Sequence, residues 1–213
     1  MHVLVDPLLV LILLLNLFIL ATSRLQAVVN GSAMQGVILG FLTLFVHQTF
    51  GGWALVVTLV AILIKGMLIP GMLLRAARDA AIRREVEPFI GFLPSLLLGA
   101  LGTGAALIFA STLPLEKEHI GSLLVPASLA TVWTGFLVLT TRRKAINQVV
   151  GYLVLENGIY VMGLTLIDAM PYMVEMGVLL DLFVGIFVMG IIINHISREF
   201  SSTDTDHLSA LKE

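Results

Sequence analysis

The sequence contains no cysteine. That excludes disulfides, thiolate-held zinc and any iron–sulfur cluster bound by the chain's own sulfur. Charge is scarce too: Asp, Glu, Lys and Arg make up 12 % of the 213 residues, about half of the ~25 % that a soluble domain carries. So few charges cannot clothe a water-facing surface, and a soluble enzyme, a nucleic-acid binder and a secreted disulfide scaffold are all excluded. No HExxH, paired-His cluster or Gly-rich phosphate loop occurs, so metal and nucleotide chemistry have no support. The net charge of −2 decides little, because in a membrane protein the placement of charge matters more than its sum.

What the sequence has instead is apolar length. Hydrophobic residues make up 58 % of it, the mean hydropathy is +1.03, and apolar runs of membrane-spanning length recur. They divide into seven expected spans, at Val3–Thr22, Ala27–His47, Trp53–Leu74, Phe89–Ser111, Ile120–Leu139, Ala145–Ile167 and Tyr172–Ile196. Each is long enough to cross a hydrocarbon core of ~30 Å at 1.5 Å per residue. The runs are too long for strands and lack their alternation, so the expected fold is an all-α polytopic membrane protein. Residues 1–200 form its transmembrane domain, and 201–213 form a polar cytoplasmic tail. The first run lacks a basic leader region and a good cleavage site, so it reads as a retained span.

Alternating seven spans across the bilayer sorts the cations. Arg24, Arg75, Arg78, Arg83, Arg84, Arg142, Arg143, Lys144, Arg198 and Lys212 fall on one side, Lys117 falls opposite, and Lys65 lies inside a span. Basic loops mark the cytoplasmic side, which predicts an N-out, C-in topology. The connector Arg75–Pro88 reads as a solvated basic loop, with a short amphipathic surface helix as the alternative. In span four Gly91, Ser95, Gly99, Gly102 and Gly104 predict a seam where another helix packs closely.

An inert anchor has no reason to keep ionisable groups in hydrocarbon, where each costs about 2.5–3.5 kcal/mol on insertion scales. Lys65 in span three, Glu156 in span six and Asp181 in span seven all fall near mid-span. Their expected depths agree to about 6 Å, so they form one lateral band. Gln148, Tyr152, Glu156 and Tyr160 are spaced four apart and line one stripe of span six. Asn157 lies beside that stripe, and Gly151 and Gly158 leave room for close neighbours or water. Glu175, His47 and His195 read as residues near span ends. A carboxylate in low dielectric is driven toward its neutral form, and a nearby ammonium drives it back. Groups balanced between those effects suit proton transfer. The structural alternative for Lys65 is a fixed pair with a carboxylate, or snorkelling to the interface.

Spans one to three also resemble spans five to seven. Ser23–Val28 aligns with Thr141–Ile146, and the same register sets Ile38 against Glu156. The two units would run in the same direction, as a parallel repeat.

The stretch Thr-Arg-Arg-Lys-Ala-Ile-Asn-Gln-Val-Val-Gly-Tyr-Leu-Val-Leu-Glu-Asn-Gly-Ile-Tyr (141–160) resembles the membrane component E of hydrogenase-4, of the formate-hydrogenlyase type. The length, span number and polar tail extend that resemblance over nearly the whole chain. Residues 120–197 are also similar to the three-span K subunit of complex I and to the C subunit of multi-subunit Na⁺/H⁺ antiporters. Asp181 and Gly185 match the buried acid and following Gly of that unit's third helix, with Asp for the usual Glu. Gly151 and Asn157 match its second helix, but Glu156 falls three residues, one turn, later than that family's Glu. The resemblance implies a non-redox subunit, with no cofactor of its own, of a membrane-bound [NiFe] hydrogenase complex in the cytoplasmic membrane. Its partners would be antiporter-like membrane subunits and a hydrogenase-type peripheral arm. Glu156, Asp181 and Lys65 would then carry protons between the redox module and the antiporter-like subunits. A C-like antiporter subunit and a structural adapter with satisfied ion pairs stand as the alternatives.

Overall fold

A computed structural model of the chain describes residues 2–46, 52–79, 88–113 and 122–165. The expected seventh span, with Asp181, Glu175, Gly185 and His195, lies outside the described residues, as do residues 201–213. The described part is helical, as lipid requires of a spanning backbone that must satisfy its own hydrogen bonds. Its helices are α1 (His2–Ala21), α2 (Leu25–Val46), α3 (Gly52–Leu63), α4 (Ile69–Asp79), α5 (Phe92–Thr112), α6 (Leu124–Thr141) and α7 (Ala145–Leu164). Five stretches are long and apolar enough to cross a membrane: Leu4–Ala21, Leu25–Thr43, Thr58–Arg78, Phe92–Thr112 and Leu124–Thr141. Helix α7 matches them in length, but Asn147, Gln148, Glu156 and Asn157 interrupt its apolar run.

Helices α3 and α4 form one rod joined by a π turn at Ile64–Leu68. Pro70 supplies a reason for the turn. It has no N–H for the carbonyl four residues back, and its ring crowds that carbonyl. The wider turn instead lets Ile69 N–H donate to the Ile64 carbonyl, five residues back, as π turns within α-helices do. The rod continues past the expected end at Leu74 to Asp79, so the start of the Arg75–Pro88 connector is helical.

The fourth span begins at Phe92 rather than Phe89. Phe89 N–H donates to the Thr141 carbonyl at 2.7 Å, and Pro88 forms an isolated antiparallel bridge with Arg142. That extended backbone delays the helix.

Helices α1, α2, α6 and α7 make the centre; α5 packs on α1 and α6, and the α3–α4 rod packs on α2. Glycine sets the α6–α7 approach. A side chain at Gly158 would run into the Val132 and Ser128 backbone, and one at Gly151 into Leu139 and the Gly135 carbonyl. Gly135 lies as closely under Leu155. Three of the five small residues expected in a seam lie against neighbours or are buried: Ser95 and Gly99 are buried, Gly99 beneath Leu20, and Gly102 lies beneath Trp133, whereas Gly91 is exposed and Gly104 has open space beside it. The Trp133 indole N–H donates to the Leu98 carbonyl at 3.0 Å.

The interior is layered. One apolar cluster holds Ile19, Leu25, Val29, Leu73, Leu137 and Val150, among others, at one end of the bundle. Another holds Leu9, Ile12, Leu39, Ala127 and Val161 at the opposite end. Between them along each helix lie the buried polar residues Asn16, Gln35, Thr131, Thr134, Glu156 and Asn157.

Candidate functional site

The centre of the site is an ion pair between α7 and the π turn. Lys65 Nζ lies 2.5 Å from Glu156 Oε1, with the side chains 11 % and 2 % exposed. Lys65 lies within the π turn, whose wider spacing changes the angle between successive side chains. The backbone contact is equally close, since a Cβ on Gly36 of α2 would fall 2.9 Å from Lys65 Cβ. Only a residue without a side chain lets α2 lie against the lysine there.

Tyr160, one turn beyond Glu156, lies beneath the ammonium, which sits 5.4 Å from the ring centroid. That distance is within the range of cation–π attraction. The phenol is hydrogen bonded to Thr43 Oγ1 at 2.6 Å. Thr43 Oγ1 is also 2.9 Å from the Leu39 carbonyl, to which it donates; its proton is therefore engaged, and the phenol O–H donates to it. Charge, ring and hydroxyl thus link the π turn, α7 and α2.

The remaining stripe residues divide. Asn157 is buried, and Tyr152 is half-buried. Gln148 is exposed near the start of α7, where Nε2 donates to the Arg142 carbonyl at 3.3 Å. Among the described residues, then, Lys65, Glu156 and Tyr160 converge, while Gln148 caps a turn instead. Gly151 and Gly158 admit the α6 backbone. Glu156 Oε2 is buried without a hydrogen-bond partner. Among the described residues no group of three or more His, Cys, Asp or Glu is placed to hold a metal ion.

The sequence reading did not single out Asn16, Gln35 or Thr131. Gln35 Nε2 donates to Asn16 Oδ1 at 2.7 Å, and Asn16 Nδ2 donates to Thr131 Oγ1 at 2.9 Å. This chain joins α2, α1 and α6, with all three side chains fully buried. The available signal was an Asn and a Gln deep within apolar runs. Arg142, expected in a basic loop, is also buried, at 2 % exposure. Its guanidinium donates to the Leu20 carbonyl at 2.9 Å, near the end of α1, and stacks 5.0 Å from the Phe92 ring centroid. A cation is favoured at a helix C-terminus, and burial lowers the Arg142 pKa from the usual arginine value.

Comparison with known proteins places the chain beside two groups. It is 32 % identical over 206 residues to the uncharacterized protein Rv0085 of Mycobacterium tuberculosis, covering 95 % of this chain and 93 % of that one. It is 25 % identical to hydrogenase-4 component E of Escherichia coli K12, again over 206 residues, covering 95 % and 94 % of the two chains. Hydrogenase-4 component E of Shigella flexneri gives the same values. No family model and no solved structure matches.

Proposed function

The chain belongs to the same family as the mycobacterial protein Rv0085, and from that premise we propose that it is a non-redox membrane subunit of a hydrogenase-4-type complex. The full-length similarity to hydrogenase-4 component E supports this reading, as do the spanning helices. In it the chain crosses the cytoplasmic membrane seven times, N-out and C-in, and joins antiporter-like subunits to a hydrogenase-type peripheral arm of the formate-hydrogenlyase kind. The adjacent pairs α1–α2 and α6–α7 suit the parallel repeat, since α1 packs on α6 and α2 on α7.

Within the complex, Lys65 and Glu156 carry the coupling. One observation supports this role above the others: a lysine and a glutamate meet at mid-bundle, in the polar layer between two apolar clusters. Ionisable groups are expensive there and mark proton or ion pathways. The short contact couples them electrostatically, so a charge arriving on one is felt by the other. Asp181 extends the relay in this proposal, with Tyr152, Tyr160 and Asn157 lining it.

The test is purification of the tagged chain from membranes with its associated subunits. Nickel and iron in the isolated complex are expected. A stable complex devoid of both would contradict the hydrogenase assignment and favour the C-like antiporter subunit. The structural-adapter reading draws on the same ion pair, and it predicts that Glu156→Gln abolishes assembly.

A further inference from the structure

The hydrogen-bond chain across α2, α1 and α6 has a direction that its chemistry fixes. Thr131 Oγ1 lies 2.7 Å from the Ala127 carbonyl. A carbonyl has no proton to give, so the hydroxyl donates, and it receives its other bond from the Asn16 amide N–H. The Asn16 oxygen must then face Gln35, and Gln35 must donate to it through Nε2. This leaves Gln35 Oε1 as the open end, completely buried and with no donor. The amide dipoles behind it run head to tail, which strengthens it as an acceptor.

Two more orphaned oxygens lie in the same polar layer between the apolar clusters. Among the described residues Glu156 Oε2 has no hydrogen-bond partner, and neither does Thr134 Oγ1. Thr134 is unusual in this. Thr43, Thr103, Thr131, Thr140 and Thr141 each donate to the carbonyl four residues earlier on their own helix. The three orphans come from α2, α6 and α7; α7 packs on both of the others. Gln35 also precedes Gly36, which abuts Lys65.

We propose that these three oxygens hold one ordered water molecule. Water donates two hydrogen bonds and accepts at least one, so it donates to Gln35 Oε1 and Glu156 Oε2 and accepts from the Thr134 hydroxyl. One molecule then satisfies all three of these oxygens, within the two to four polar partners a buried water needs. A bound cation is disfavoured, because it would lie beside the Lys65 ammonium as well as Glu156 and be repelled by it in low dielectric. The water extends the polar path from the ion pair to α1 and α6, a role that rests on the proton-coupling proposal above.

The test is an electron cryomicroscopy map of the intact complex that resolves waters, paired with proton translocation by Gln35→Leu and Thr134→Val. A density peak within hydrogen-bonding distance of Gln35 Oε1, Thr134 Oγ1 and Glu156 Oε2 is expected. Each variant should slow translocation roughly tenfold, the factor carried by one ordinary hydrogen bond. An empty position, a cation there, or unchanged translocation in Thr134→Val would overturn the inference. If Thr134→Val is silent while Glu156→Gln abolishes translocation, the water fails alone; if Glu156→Gln is silent as well, the coupling role fails with it.

Discussion

Lys65 Nζ meets Glu156 Oε1 at 2.5 Å in the interior of an apolar bundle, although the two residues belong to helices far apart in the chain. Lys65 reaches Glu156 from within a π turn, and the bare Gly36 admits the lysine's backbone side. Neither residue is inexpensive to bury, so their meeting has measurable consequences.

Breaking the pair from one side leaves an uncompensated charge. Lys65→Met alone or Glu156→Leu alone should destabilise the folded chain by about 3–5 kcal/mol, whereas the double apolar replacement should cost much less. Thermal unfolding of the purified complex across this double-mutant cycle checks it. Additive losses would show that the two side chains do not interact.

The glycines divide into those that cannot and those that can accept a side chain. Gly158→Val faces the α6 backbone, while Gly104 has nothing within 4 Å of its would-be Cβ. Gly158→Val should therefore cost at least the ~1–3 kcal/mol typical of overpacking, and Gly104→Val should be tolerated apart from helix propensity. Expression level and thermal stability of the two variants decide the matter.

Because the chain has no cysteine, introduced pairs report distance directly. Asn16→Cys with Thr131→Cys should be joined by a short bifunctional thiol-reactive linker, as should Thr43→Cys with Tyr160→Cys, since both native pairs are in hydrogen-bond contact through side chains that hold their backbones too far apart for a direct disulfide to be required. Cysteines at the outward-facing Leu14 and Ile159 serve as controls and should not cross-link to each other. Failure of both contact pairs would contradict the α1–α6 and α2–α7 packing.

Arg142 tests a different kind of contact. Its guanidinium combines a hydrogen bond to Leu20 with a face-on approach to Phe92, which the compact ammonium of lysine does not reproduce. Arg142→Lys should thus destabilise the chain despite keeping the charge, by about 1.5–3 kcal/mol for a lost charged hydrogen bond. Unchanged thermal stability would mean that Arg142 serves only as a basic topology marker.

Helix existence was legible because spanning helices announce themselves through apolar length. Lys65 and Glu156 stood out because charge is so rare in those runs. That they touch each other was not legible, since depth along two spans says nothing about rotation around them. The π turn left a trace in Pro70, whose missing N–H disturbs the preceding turn, but the trace does not specify which way Lys65 swings. The Asn16–Gln35–Thr131 chain escaped notice for another reason: uncharged polar residues in a span are common enough that only their convergence makes them significant. Arg142 read as a loop residue because the positive-inside pattern counts charges without seeing burial.

The most direct test of the coupling role is the number of protons moved per catalytic turnover by the intact complex carrying Glu156→Gln, measured in sealed membrane vesicles. Glutamine preserves volume and hydrogen-bonding capacity but holds no titratable proton. The account predicts a complex that still assembles, at lower thermal stability because Lys65 loses its counter-charge, and that translocates no protons. Normal proton translocation by the assembled variant would contradict it.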